Sequence, residues 1–228
     1  MKRWLYASSA IAVMMLIIPL VLHEQTRRTV LELVNSYPVS AVINKLQQAS
    51  IPSNGSACLK ELGKRDVRFR RQGDFSEPKG CKVKSAVRLS SAGQVQFDNA
   101  PLLTCTMAMQ LARFSEDGLQ SAARDVLGTT VKRVRHIGTY NCRSMRQFKG
   151  VLSQHAFANA IDVSAFELSN GDVINVARDW RAKGAKAQFL RRVSSDACKA
   201  FHVAVSPDGD ANHFNHLHWD MGPYRSCR

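Results

Sequence analysis

Apolar positions fall along this chain in three patterns, and each predicts a different kind of element. Residues 5–22, LYASSAIAVMMLIIPLVL, form an uncharged run of 18 behind Lys2 and Arg3. As a helix rising 1.5 Å per residue it reaches roughly 27 Å, close to the hydrocarbon thickness of a bilayer. Pro19 is tolerable in such a helix. A cleaved signal peptide shares the basic start and apolar stretch, but the run exceeds a usual signal core and ends in VLHEQ without a small-x-small cleavage site. Residues 1–23 are therefore expected to be a retained anchor, one transmembrane helix.

The second pattern has helical spacing. TRRTVLELV and SAVINKLQQ, separated by Pro38, predict a stalk over 24–55, with Pro52, Asn54 and Gly55 marking its end. Further on, Leu102 to Phe114 and Gly118 to Leu127 carry helical apolar faces, and a third helix is expected over 179–195. The third pattern alternates. AVRLS and QVQFD flank Ala92-Gly93 as a short hairpin, and AIDV leads into AFELSNGDVINV, where Asn170-Gly171 signals a tight turn. FHVAV and HLHWD read as further strands; in the latter His216, His218 and Asp220 share one face while Leu217 and Trp219 share the other. The expected fold over 56–228 is a compact α+β domain, a central antiparallel sheet with helices packed against it, and no internal repeat.

Composition changes this picture in two respects. Six cysteines, at 58, 81, 105, 142, 198 and 227, lie beyond the apolar run with no Cys-x-x-Cys pair. Widely spaced, even-numbered cysteines read as disulfides of an exported domain, with fifteen possible complete pairings. Together with the anchor they predict a single-pass protein of a bacterial inner membrane, held to the cytoplasmic membrane by its N-terminal helix, with the C-terminal domain in the periplasm. The formal net charge of +14 implies attraction to anionic lipid, nucleic acid or carboxylate-rich cell wall. No zinc-finger spacing or aromatic-basic interleaving specifies nucleic acid, so none is expected as a partner.

Chemistry concentrates near the C-terminus. Three of the seven histidines fall within HFNHLH and a fourth, His155, within SQHAFANAID, which also contains Asp162. Imidazole nitrogens with a carboxylate oxygen are donors that Zn²⁺ accepts, and three protein ligands leave a fourth position for water, the arrangement of catalytic zinc. Asp208, Asp210 and Asn212 lack the full calcium-loop spacing and read as a turn. Asp220 is suited to hydrogen-bond a ligating imidazole, and Ser153 to support His155. His136 and His202 read as ordinary polar or packed residues.

SQHAFANAID and HFNHLHWD resemble the extensin-like C-terminal domain family and, within them, the motifs of the LAS group of zinc peptidases. Ser153, His155, Ala160 and Asp162 match the Ser-x-His-x-x-Gly-x-Ala-x-Asp pattern of its D-Ala-D-Ala carboxypeptidase branch, with Ala158 at the glycine place. The resemblance implies zinc held by His155, Asp162 and His218. The Glu that carboxypeptidase-like members place three residues before the last histidine ligand is Asn215 here, which cannot take a proton in that role. His213, His216 and His218 instead reproduce the His-x-x-His-x-His spacing of penicillin-insensitive murein endopeptidases. By that resemblance His216 orients water or shuttles its proton, and His213 assists. Tyr140 and Arg143 in GTYNCRS resemble the region upstream of the metal motif, where Arg143 contacts a peptide carboxylate or a developing oxyanion. The implied function is zinc-dependent hydrolysis of an amide bond in peptidoglycan stem peptides or cross-links. The alternatives are a cell-wall binding domain with a structural or vestigial metal site, and an envelope scaffold without metal.

Overall fold

The structure, a computed structural model, describes residues 39–50 and 55–228. Two compact units divide between Ile43 and Asn44, and the sheet and site belong to the second. The elements run α1 (Val39–Ser50), α2 (Gly55–Leu62), β1 (Val67–Gln72), β2 (Phe75–Ser76), β3 (Lys82–Val83), β4 (Ala86–Ala92), β5 (Val95–Phe97) and β6 (Leu102–Thr104). Next come α3 (Cys105–Phe114), a π-turn over Ser115–Leu119, α4 (Gln120–Leu127), β7 (Val131–Gly138), β8 (Ala160–Leu168) and β9 (Val173–Asn175). The chain closes with α5 (Val176–Asp179), α6 (Ala185–Ala200), β10 (Val203–Val205), β11 (Leu217–Asp220) and β12 (Ser226–Cys227).

Among the described residues ten strands form one sheet in the order β1-β4-β5-β7-β8-β11-β10-β12, with β6 paired to β4 and β9 to β8. Most pairs are antiparallel, but β5–β7 and β10–β12 are parallel. Between β5 and β7 the chain inserts β6, α3 and α4, a crossover long enough to bring it back in the same direction. The sheet expected to be antiparallel is thus mixed.

Alternation along the strands separates two faces. Val87 and Leu89 of β4, Leu103 of β6, Ile161 and Val163 of β8, and Leu217 and Trp219 of β11 enter one large core together with Leu111, Ala122, Phe189 and Val193 of α3, α4 and α6. Ala86 and Leu102, one position off that register, join Val83 and Ala158 in a small cluster on the opposite face. The helices therefore cover one face of the sheet, and the residues between the core positions point away from them.

Several sequence expectations shift at their edges. Leu102–Thr104 is a strand rather than the start of a helix, because Thr104 caps α3 by accepting a hydrogen bond from the Met107 backbone at 3.2 Å. The helix expected over 179–195 begins at Ala185: Gly184 has φ 94°, which interrupts helical geometry after the short α5. The basic run VRFRRQ is an edge strand, and α2 was not foreseen. The six cysteines pair as Cys58–Cys105, Cys81–Cys142 and Cys198–Cys227.

One expectation is corrected. Among the described residues no helix is long and apolar enough to cross a membrane. The longest, α6, has 16 residues and carries Lys186, Arg191, Arg192, Asp196 and Lys199; at 1.5 Å per residue it spans only about 24 Å. The transmembrane helix rested on residues 5–22, which lie outside the described residues. The membrane partner, the periplasmic placement and the single-pass inner-membrane location built on that helix are set aside with it.

Candidate metal site

Two strands and one tight turn assemble the site. On β8, Asp162 lies between the core residues Ile161 and Val163, so its carboxylate faces away from the helices. On β11, His218 lies between Leu217 and Trp219 and emerges on the same face. Antiparallel pairing sets His218 directly opposite Asp162. His155 comes from the 3₁₀ turn Gln154–Phe157 preceding β8, where Ser153 caps the turn and Ala158 closes it.

Hydrogen bonds fix which atom each histidine presents. His155 Nδ1 is 2.9 Å from the Thr139 carbonyl oxygen. A carbonyl only accepts, so Nδ1 carries the hydrogen and Nε2 presents its lone pair. His218 Nε2 is 2.9 Å from Asp220 Oδ2, which assigns the hydrogen to Nε2 and aims Nδ1 inward. Asp220 is held in turn by the backbone N–H of Gly222 at 2.8 Å. His155, His218 and Asp220 are all buried.

The inward atoms form a small triangle. His155 Nε2 and His218 Nδ1 are 3.2 Å apart, His155 Nε2 and Asp162 Oδ1 3.3 Å, and His218 Nδ1 and Asp162 Oδ1 2.9 Å. Ligands 2.0–2.2 Å from a tetrahedral zinc are separated by roughly 3.3–3.6 Å, so an outward movement of a few tenths of an ångström admits the ion. Three lone-pair atoms at such distances repel unless a cation sits among them. Without a metal, that cation is a proton. Burial alone would push the His218 imidazole down, but its hydrogen bonds to Asp162 and Asp220, and their charge, outweigh this and raise it to about 10. Burial likewise opposes ionisation of Asp162, yet the adjoining imidazoles of His155 and His218 hold its carboxyl far below the usual range. The donor set and its geometry fit a metal ion, and His155, Asp162 and His218 could hold one.

Two further histidines border the triangle. His216 Nδ1 lies 2.8 Å from Asn215 Oδ1 and its Nε2 lies 3.5 Å from Asp162 Oδ1. Because the amide oxygen accepts, Nδ1 carries the hydrogen and Nε2 is free to accept. Burial, reinforced by the neighbouring histidines and only partly offset by Asp162, pushes His216 down to about 4. His213 packs 5.0 Å from the His216 ring and 5.5 Å from that of His218, with its Nδ1 2.9 Å from Asp210 Oδ2. Burial and the charge of His218 lower it despite Asp210.

The Arg143 guanidinium donates to the adjacent Ser144 carbonyl at 3.3 Å. Tyr140 packs edge-on against Phe75, beside the small cluster of Val83, Ala86, Leu102 and Ala158, and donates to Glu77 at 2.5 Å. Burial and the Glu77 carboxylate raise its hydroxyl to about 12. Three participants escaped the sequence: the Thr139 carbonyl, which any residue could supply; Glu77, 63 positions from its partner; and Asp210, whose Asp-x-x-His spacing before His213 was a usable signal. Asp220 occupies the supporting place its alternation with His218 implied.

A mixed α+β domain with a buried histidine-histidine-aspartate cluster on the sheet face opposite its helices is the class of protein that fold and site define. The family described as Extensin-like protein C-terminus matches residues 56–228, and the chain belongs to it. No curated protein and no solved structure is significantly similar to the chain.

Proposed function

We propose that this protein is a zinc-dependent hydrolase of amide bonds in peptidoglycan peptides, an endopeptidase acting on stem peptides or cross-links. The observation that carries the reading is the convergence of His155 Nε2, Asp162 Oδ1 and His218 Nδ1 within 3.3 Å of one another, each histidine locked in its ligating tautomer. The likeness of its histidine spacing to that of zinc murein endopeptidases supports the substrate class. When bound, zinc supplies a Lewis acid that makes water nucleophilic near neutral pH and polarises a carbonyl.

The chain's own residues do the rest. His216, neutral at pH 7, turns Nε2 towards the Asp162 edge of the ligand triangle and takes the proton released as water attacks. Asn215 fixes the tautomer that makes this possible, a positioning role in place of an acid's proton transfer. His213, with Asp210 close to its Nδ1, lies against both His216 and His218 and assists by stabilising charge as it develops. Arg143, partly exposed, is assigned to the substrate carboxylate, a role its planar fork suits.

The test measures zinc stoichiometry of the full chain together with mass spectrometry of digested muropeptides. Cleavage at one peptide bond by the zinc-loaded chain, lost on chelation and in His218→Ala, and reduced by about 10²-fold or more in His216→Ala, is the expected result. Cleavage that persists after all zinc is removed overturns the zinc mechanism. Zinc-loaded, folded protein that cleaves no muropeptide overturns the peptidase reading.

A further inference from the structure

The sheet face opposite the helices carries a second chemical feature, away from the metal ligands. Pairing aligns Arg68 with Ser91, Ser91 with Gln96, Gln96 with Arg133, and Arg133 with Glu167, so one polar row crosses five strands. The neighbours of these residues, including Ala92, Val95, Val134 and Phe166, enter the helix-covered core, which sets the row itself on the outer face. Over this row lies a cleft of about 620 Å³ bordered by Arg68, Ser91, Gln94, Gln96, Asn99 and Arg133.

Its charge is poorly compensated. Arg133 donates to Gln96 Oε1 at 2.8 Å, but its Nε is buried without a hydrogen bond, 3.7 Å from Glu167 Oε2. Glu167 is already engaged by Arg135 at 2.6 Å. Further along the same two strands, Arg70 stands directly opposite Arg88. Like charges facing across an antiparallel pair are destabilising, and among the described residues neither these two nor Arg68 has an acidic partner. Asp98, also at the cleft, is occupied by the His136 backbone N–H at 3.1 Å.

We propose that this cleft is a binding site for an acidic saccharide, separate from the metal site. Guanidinium forks match carboxylates in geometry and charge. Hydroxyl and amide side chains between them supply the alternating donors and acceptors that sugar hydroxyls require. The largely polar lining excludes an apolar peptide or acyl chain. Arg68 and Arg133 are separated by three strand spacings, about 14 Å, which matches two or three sugar units rather than one small anion. Five residues of β7 separate the register of Arg133 from that of Gly138, which pairs with Asp162, so the two sites are about 16 Å apart along the strands.

The test titrates the full chain with an oligogalacturonate of defined length, using calorimetry at about 0.1 M salt. A neutral oligosaccharide of equal length and a short DNA duplex are titrated in parallel. Saturable binding of the acidic saccharide is expected, reduced tenfold or more in Arg68→Gln combined with Arg133→Gln and less than twofold in Lys60→Gln. His218→Ala is expected to bind it as the parent does, so this result is independent of the metal-site reading. Arg68→Gln alone, at an exposed position, is expected to give a partial loss without a change in thermal midpoint. Absence of saturable binding, equal binding of the neutral sugar, tighter binding of DNA, or undiminished binding by the double variant would each overturn the proposal.

Discussion

Strand β11 has two faces built by adjacent residues with opposite chemistry. Leu217 and Trp219 pack into the core, where Trp219 stacks on Phe201 at 5.1 Å and meets Phe114 edge-on at 5.2 Å. On the other face His218 and Asp220 are just as buried, yet they are surrounded by polar groups that only hydrogen bonds, a proton or a metal can satisfy. The first face is satisfied by apolar contact. The second is satisfied only when a cation is present. The same alternation that drives the strand into the core thus holds a polar cluster rigidly on its far side.

Breaking the aromatic face is expected to have the largest effect. Trp219→Ala removes a fully buried ring that touches two others, and should cost about 3–5 kcal/mol. Against a typical stability of about 5–15 kcal/mol, that is enough to leave much of the chain unfolded on heating. The measurement is chemical denaturation of the disulfide-intact protein. A loss below about 1 kcal/mol would mean that β11 is not seated on the core as described. Trp219→Phe, which keeps an aromatic in place, should recover a good part of the loss.

The polar face responds to pH and metal instead. In metal-free protein His218 keeps its proton in the fold at pH values where the unfolded chain, titrating near 6.5, has released it. Its stabilising contribution is therefore complete below about 6.5 and is lost as pH climbs through about 10. His216 has the opposite sign. The fold keeps it neutral down to about 4, so acidification from about 6.5 to 4 favours the unfolded chain. Zinc must displace the His218 proton to reach Nδ1, so binding at pH 7.5 should release about one proton per ion. Calorimetry in buffers of different ionisation enthalpy counts it directly. A heat independent of buffer would show that His218 is neutral before metal arrives.

These two faces were not equally legible in the sequence. Turns and alternation gave away the local parts: Ala92-Gly93 between β4 and β5, Asn170-Gly171 between β8 and β9, and the His218/Asp220 side of β11. The metal-cluster residues were readable because donor chemistry and spacing are side-chain properties. The parallel pairing of β5 with β7 was not, since it depends on contacts across a crossover that no local pattern encodes. VRFRRQ hid its strand character because arginines on an edge strand's outer face obscure the weaker signal of Val67 and Phe69. Disulfide partners 47, 61 and 29 residues apart were equally beyond local reading.

The smallest expected effect lies where the turn carrying His155 meets the strand carrying Asp162. Ala158 closes that turn with φ 54° and ψ 32°, the left-handed region that favours glycine, and it is fully buried beside Val83, Ala86 and Leu102. Glycine there would relieve about 1–2 kcal/mol of backbone strain. It would also lose about 0.8 kcal/mol of methyl burial and about 0.5–1 kcal/mol through the freer unfolded chain. These contributions nearly cancel, so Ala158→Gly should change stability by no more than about 1 kcal/mol. Ala158→Val keeps the strain and adds a branched side chain to a closed pocket, so it should destabilise by about 2 kcal/mol or more. The decisive comparison is zinc affinity in the two variants. If the turn holds His155 Nε2 against Asp162, valine should weaken binding while glycine leaves it near the parent value. Equal affinities would mean that the hydrogen bond to the Thr139 carbonyl alone positions the histidine.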